Sequence, residues 1–296
     1  MSGLLVVGDV VTDVVALHDR PLVPGTDTAA RIRTLPGGAG ANVACWAVRS
    51  GWADVRLLAR VGTDRAEWHE AELRRAGVRP ALVRDPEAPT GTVVSLVDGS
   101  AGAERTFLTD SGAVLRLSAA DWSADRLDGV VHLHLSGYLF FAAPSRGAAL
   151  AALTSALERG LPVSVDPASA GFLAELGAGR FLDAVAGAAV LLPNADEAAL
   201  LTGAATPEAA AVALSRTFPL VVVTLGAEGA LLAAGGEVLA RVPAPRVDPV
   251  DTTGAGDAFT GTFLAAYLSG ARPAEAAAFA CRAAAEACTR PGARPG

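Results

Sequence analysis

The chain contains no lysine, so all 24 of its Lys-plus-Arg positions are arginine. A P-loop sets a lysine against nucleotide phosphates, so P-loop NTPases are excluded. Protein-kinase catalysis and a lysine Schiff base to pyridoxal phosphate fall with the same absence. Neither a G-x-S-x-G elbow nor a complete G-x-G-x-x-G fingerprint occurs, which disfavours hydrolase and dinucleotide chemistry. Cysteine is scarce too. Cys45, Cys281 and Cys288 form an odd, sparse set that reads as reduced thiols rather than a disulfide framework. Isoleucine is nearly absent and alanine dominant, a pattern we ascribe to genome composition. No run of about 18 apolar residues exists, and no basic-plus-apolar leader opens the chain, so the expectation is a cytoplasmic protein without a membrane partner. With a net charge of −7 and no arginine-rich run, nucleic acid is not an expected partner either.

What is present is a core-forming composition: 296 residues, 51% hydrophobic and 19% charged, sufficient for one large α/β domain. Six segments are continuous apolar runs of the kind buried on both faces: 4–17, 54–62, 130–139, 161–167, 189–194 and 220–226. Alanine-rich helical patterns fall between or after them, at 40–50, 65–76, 145–159, 171–186, 195–202 and 207–217. This alternation predicts a mostly parallel sheet with helices on both faces. Residues 229–244 predict an antiparallel hairpin with a Gly-Gly turn, followed by helices at 255–269 and 273–289. Residues 14–34 and 90–109 break the pattern as polar-alternating strands with no helix between them, and are expected to form a small projecting lid sheet. The chain is therefore read as one domain over 1–296, with only "RPGARPG" at its end looking loose.

Polar residues gather where these strands end: Asp9 and Asp13, Ser136, Asp166, Asn194 and Thr224. Ligands of open parallel sheets sit at those ends. The densest stretch is "DTTGAGDAF", residues 251–259. Glycines before a helix start allow backbone amides to point at an anion. Asp257 in the first turn is then placed to take a proton beside that anion. Taken alone, an acid in a first turn is equally well explained by the helix dipole. His132 and His134 share one strand face and are read as packing rather than metal ligands.

The company of other motifs decides the matter. "DTTGAGDAFTGTFLAAYL", "PGGAGANVA" (36–44), "NADE" (194–197) and "TLGAEG" (224–229) together resemble, in order and spacing, the signatures of the ribokinase-like (PfkB) carbohydrate kinase family. The resemblance implies a three-layer ribokinase-like α/β fold and an ATP-dependent phosphotransferase acting on a hydroxyl of a small sugar. It implies Asp257 as the base and Gly254, Ala255 and Gly256 as the anion hole. Asp13, Gly38 and Asn42 would hold the acceptor, with Arg105 reaching it from the lid. Asn194, Thr224, Gly226 and Gly229 would shape the ATP site, and Glu197 would orient Mg2+ through water. Asp251, Thr253, Ala287, Arg290 and Gly292, with backbone near Gly296, match a K+ site. A homodimer through the lid is an assembly the resemblance also offers. Ala39 stands where ribokinases proper carry lysine, so the acceptor stays open between a sugar and a nucleoside of adenosine or pseudouridine type. A sugar-sensing binding protein without turnover is the rival of another class, and a dinucleotide oxidoreductase a distant third.

Overall fold

Residues 2–98 and 104–295 are described by a computed structural model, with Glu104 and Arg105 described in their backbone only. The apolar runs do form strands buried on both faces. In β1 (Gly3–Val7), Leu5 and Val7 point into one core while Leu4 and Val6 point into another. The first core is covered by α3 (Ala143–Glu158), α4 (Ala170–Leu176), α5 (Ala178–Ala184), α6 (Ala195–Thr202) and α7 (Pro207–Leu214). The second is covered by α1 (Ala39–Arg49), α2 (Ala66–Arg75), α8 (Ala255–Leu268) and α9 (Pro273–Cys288). Period-two alternation along each strand thus produces the three-layer architecture that the sequence predicts.

The large sheet has nine strands. β1 is the third strand from one edge, parallel to β4 (Val55–Gly62) and β8 (Val130–Ser136) on its two sides. Beyond β4 lies β5 (Arg79–Asp85). Beyond β8 come β9 (Val163–Asp166), β10 (Val190–Leu191) and β11 (Leu220–Thr224), all parallel. The hairpin β12 (Ala230–Ala234) and β13 (Glu237–Val242) closes that edge antiparallel. The chain proceeds in opposite directions from β1, so a crevice opens at the carboxyl ends of β1 and β8, the position where such sheets bind ligands.

The second sheet has order β3-β2-β6-β7, with β2 (Val11–His18), β3 (Arg31–Gly37), β6 (Gly91–Asp98) and β7 (Glu104–Asp110). It is the lid, and β2 runs parallel to β6 while the other two pairings are antiparallel. Its first strand begins at Val11 rather than 14. The run read as one strand from 4 to 17 is two: β1 ends at Val7, and the chain leaves the main sheet through Gly8–Val10. Asp13 therefore sits inside a lid strand, not at the end of the first strand. The helix expected over 171–186 is also two, divided at Gly177, whose φ of 92° no helix interior accepts. β5 escaped the sequence reading because "RPALVRD" carries two arginines and a proline, which an edge strand tolerates.

Asp85, at the end of β5, is fully buried and anchors the lid's base. Its carboxylate accepts from Arg60 (2.8 Å), Arg116 (2.7 Å) and the amides of Glu87 and Ala88, which hold it well below the usual carboxylate range. His132 and His134 both contact Ser164 Oγ at 2.9 Å, the hydroxyl donating to one ring and accepting from the other. Burial lowers them to about 4 and about 3, so both are neutral core residues.

Phe140 is completely buried at the front of the first core, edge-on to Phe181 at 5.5 Å. Phe140→Ala is expected to cost about 3–5 kcal/mol and to lower the thermal midpoint by roughly 10 °C, measured by calorimetry.

Candidate functional site

A cleft of about 650 Å3 opens at the carboxyl ends of the central strands, under the lid. Its floor begins at Asp9, which follows β1 by two residues. Asp9 accepts hydrogen bonds from the amides of Ala39 (2.7 Å) and Gly40 (3.1 Å) and from Ser136 Oγ (2.9 Å). It fixes the start of α1 while lining the cleft. From α1, Asn42 donates through Nδ2 to Asp257 Oδ2 at 2.8 Å, which joins two motifs 215 positions apart. Asp13 reaches the same cleft from the lid, and its carboxylate lies over Gly37. A Cβ at Gly37 would be 2.2 Å from Asp13 Oδ2, so any larger residue there would displace the Asp13 carboxylate.

Asp257 stands in the first turn of α8. The helix starts at Gly254, whose φ of 74° and contact with Ala293 both require glycine. The Ala255 amide turns back to Thr252 O (3.3 Å), and the Ala258 amide bonds Gly254 O (2.8 Å). The first-turn amides of Gly256 and Asp257 are left as donors beyond the reach of the helix ladder. The Ala255 amide, assigned with Gly254 and Gly256 to the anion hole, is thus partly engaged already.

A second cavity of about 700 Å3 adjoins the first, with Thr224, Gly226 and Gly229 on one wall and Cys281 and Cys288 on another. Thr224, Thr252, Ala255 and Gly256 line both cavities, so the two meet at the start of α8. "NADE" proves to be a reciprocal cap. Asn194 Oδ1 accepts from the Glu197 amide, and Glu197 Oε2 accepts from the Asn194 amide, both at 2.9 Å. Both side chains still line the cleft, and Glu197 is buried rather than a solvated first-turn acid.

Burial is the main cause of the acid shifts here. It pushes Asp13 up to about 7, with Arg294 pulling back and Asp9 and Asp251 adding to the rise. Asp257 is pushed up to about 8 by burial, opposed by the Asn42 hydrogen bond and raised further by Asp166, Asp9 and Asp13, although water reaches it through the cleft mouth. Glu197 rises through burial and the charge of Asp166, and Asp166 rises through burial. Glu197 is buried and Asp166 part-buried, and burial opposes the ionised form of both, so the charge of a divalent cation would suit this pair. Among the described residues no cluster of three metal-ligating side chains exists, so phosphate oxygens and water would complete the shell of a Mg2+ ion there.

Behind α8, Asp251 accepts from the amides of Thr253 (2.8 Å) and Gly292 (2.9 Å), which brings these three K+ candidates together. Ala287 is buried near the end of α9, and Arg290 lies 5.5 Å over the Trp46 ring. Arg105 pairs with Val97 in the lid, its side chain lying outside the described residues, as does Gly296 altogether.

Several site residues were not assigned from the sequence. Asp166, noted there only as a strand-end acid, accepts from Thr260 Oγ1 (3.1 Å) and the Ala168 amide (2.9 Å). Ala168 has a φ of 73°, a costly conformation for a residue with a Cβ, and it lines the cleft. Tyr138, Phe141 and Phe172 pack against one another with centroids 5.2–6.1 Å apart and form an aromatic wall, faced by half-exposed Phe107 of the lid. Two segments build that wall and a third, the lid, supplies Phe107 opposite, so no local pattern reveals it. The tail expected to be loose is instead fixed in place. Ala293 O accepts from Trp46 Nε1 (2.9 Å), and Arg294 bonds Asn42 and Gly37.

Comparison with known proteins places this geometry among relatives. The family model described as pfkB family carbohydrate kinase matches residues 1–296. Ribokinase of Mus musculus is 30% identical over 278 residues, covering 90% of this chain and 82% of that one. The structure of adenosine kinase from Sinorhizobium meliloti superposes with a TM-score of 0.89 at 23% identity, over 99% of this chain and 96% of that chain. An E. coli protein described as a ribokinase II, in complex with ATP and Mg2+, gives 0.85 at 24% identity, over 99% and 94%.

The acid shifts fix a sign. A carboxyl whose folded pKa is raised stabilises the fold at low pH, and that contribution is lost as pH rises through the folded value. For Asp13 and Asp257 the loss begins in the ordinary carboxylate range and is completed as pH passes about 7 and about 8, above the range in which the buried core histidines titrate in the folded state. Asp257→Asn is expected to raise the thermal midpoint of the ligand-free protein at both pH 5.5 and pH 8.5, and by clearly more at pH 8.5. An equal shift at both values would contradict this account.

Proposed function

The chain belongs to the pfkB family of carbohydrate kinases, which are ATP-dependent phosphotransferases, and from that premise we propose that it phosphorylates a primary hydroxyl of a small sugar or sugar derivative. The observation that carries the reading is the meeting of two cavities at the α8 amino terminus, with Asp257 on one side and Asp13 facing it across the same cleft. In this reading the acceptor lies in the first cavity. Asp13, Gly38 and Asn42 hold its hydroxyls, and Asn42 at the same time holds Asp257. The nucleotide occupies the second cavity against Thr224, Gly226 and Gly229, with Asn194 at the junction near the phosphates.

Asp257 takes the hydroxyl proton as the acceptor oxygen bonds the γ-phosphorus and the bridging bond to ADP breaks. The glycine-rich start of α8, residues 254–256 with the Asp257 amide, faces the negative charge that spreads over the transferred group. Glu197, with Asp166 beside it, holds Mg2+ through water, and the ion supplies neutralisation of phosphate charge. Asp251 already ties Thr253 to Gly292, so K+ enters this reading as an activator rather than a requirement. The lid face turned away from the cleft exposes Ile32 and Leu108, which supports a second copy packing there. Three cysteines outside any disulfide and the absence, among the described residues, of a helix able to cross a membrane support a cytoplasmic setting.

A second acceptor class is favoured by the aromatic wall. Tyr138, Phe141 and Phe172, with Phe107 opposite, offer a planar apolar group more surface than a free sugar uses, which suits a nucleoside.

Asp257→Asn is expected to lower turnover about 10²–10⁴-fold while ATP affinity changes less than twofold, read by coupled ADP release and by calorimetry. Near-normal turnover would refute the base assignment, and loss of all wild-type activity without K+ would refute its role as an activator. In a screen of sugars and nucleosides, Phe172→Ala is expected to raise KM roughly 3- to 10-fold for nucleosides and to spare free sugars. If free sugars suffer equally, the wall is not an acceptor-discriminating surface.

A further inference from the structure

The end of the chain enters the site through one side chain. Arg294 Nε donates to Asn42 Oδ1 at 3.3 Å, and Arg294 Nη2 donates to Gly37 O at 2.9 Å. Asn42 is buried, and its Nδ2 donates to Asp257 Oδ2 at 2.8 Å. The chemistry of these groups permits one polarity. A guanidinium has donors and no acceptor, so it can meet only the oxygen of the carboxamide, which leaves the nitrogen to donate to the Asp257 carboxyl. The carboxamide between them must therefore turn its oxygen to Arg294 and its nitrogen to Asp257. A flipped amide would face oxygen against carboxylate on one side and nitrogen against guanidinium on the other.

We propose that Arg294 is a positioning residue of the acceptor site, which locks the Asn42 carboxamide in the orientation that steadies the Asp257 carboxylate and supports the Gly37 turn beneath Asp13. Asn42 and Asn194 are the only two carboxamide side chains in the sequence, which holds no glutamine. The cleft therefore relies on a single carboxamide at this point, and its orientation is set from behind. Three bonds bring Arg294 there: Gly292 N to Asp251, Trp46 Nε1 to Ala293 O, and its own bond to Gly37 O. Its charge also works against the rise of the Asp13 carboxyl.

The inference rests on Asp257 acting on the acceptor, and the test separates the two. Arg294→Met in the full chain is expected to lower kcat at least 10-fold and to raise the acceptor KM several-fold, with the Kd for ATP within twofold of wild type. Arg294 acts through Asn42, so the double variant Arg294→Met/Asn42→Ala is expected to be no worse than Asn42→Ala alone. Costs that multiply would overturn the proposal, as would a fall in ATP affinity that matches the fall in kcat. Arg294→Lys keeps the charge but loses the two-point geometry. It is expected to repeat the pattern more mildly and to cover the case in which the methionine variant does not fold. If the lysine variant turns over like wild type, the proposal falls. If Asp257→Asn is inactive while Arg294→Met is normal, this inference fails and the assignment of the base stands.

Discussion

Negative charge is the constraint around which this cleft is organised. Asp9, Asp13, Asp166, Glu197 and Asp257 converge on a single space that has to receive phosphate, and the protein uses no lysine to offset them. Each carboxylate is managed differently. Asp9 is committed to the start of α1 by two amides and a hydroxyl. Asp257 is held by Asn42. Asp13 feels Arg294, and Asp166 is restrained by Thr260 and the Ala168 amide. What remains unbalanced is concentrated beside Glu197, where a divalent cation fits. The α8 amides offer further compensation to an incoming anion, through the partial positive charge at a helix start.

The scaffold that brings these groups together was largely legible in the sequence. Strands buried on both faces announce themselves as continuous valine and leucine runs, and alternating helical patterns imply the parallel sheet. The strand-end polar residues pointed to the cleft: Asp9, Asp13, Asp166, Asn194 and Thr224 line it, and Ser136 donates to Asp9. What stayed hidden depends on contacts distant in sequence. Arg294 looks like part of a loose proline-glycine tail until its partners Asn42 and Gly37 are known. The aromatic wall draws Tyr138, Phe141 and Phe172 from the segments after β8 and β9, each unremarkable alone. Boundaries failed where backbone geometry overrode composition, at Gly177 and between Val7 and Val11.

One motif changed meaning. "NADE" serves at once as the reciprocal cap of α6 and as part of the cleft wall. The cap consumes one oxygen of each side chain and leaves the other face of each toward the cavity. A structural duty and a place in the site therefore coexist in the same two residues, and neither excludes the other.

Only Gly8, Asp9 and Val10 separate β1 from β2, yet the two strands belong to different sheets. Asp9 is riveted to the rigid body of the protein, whereas Asp13, four residues on, travels with the cover. Any tilt of that cover shifts one wall of the acceptor chamber relative to its floor. If Asp13 holds the acceptor as proposed, grip on the acceptor and aperture of the chamber are a single mechanical variable, and the movement that admits one guest would also release the last.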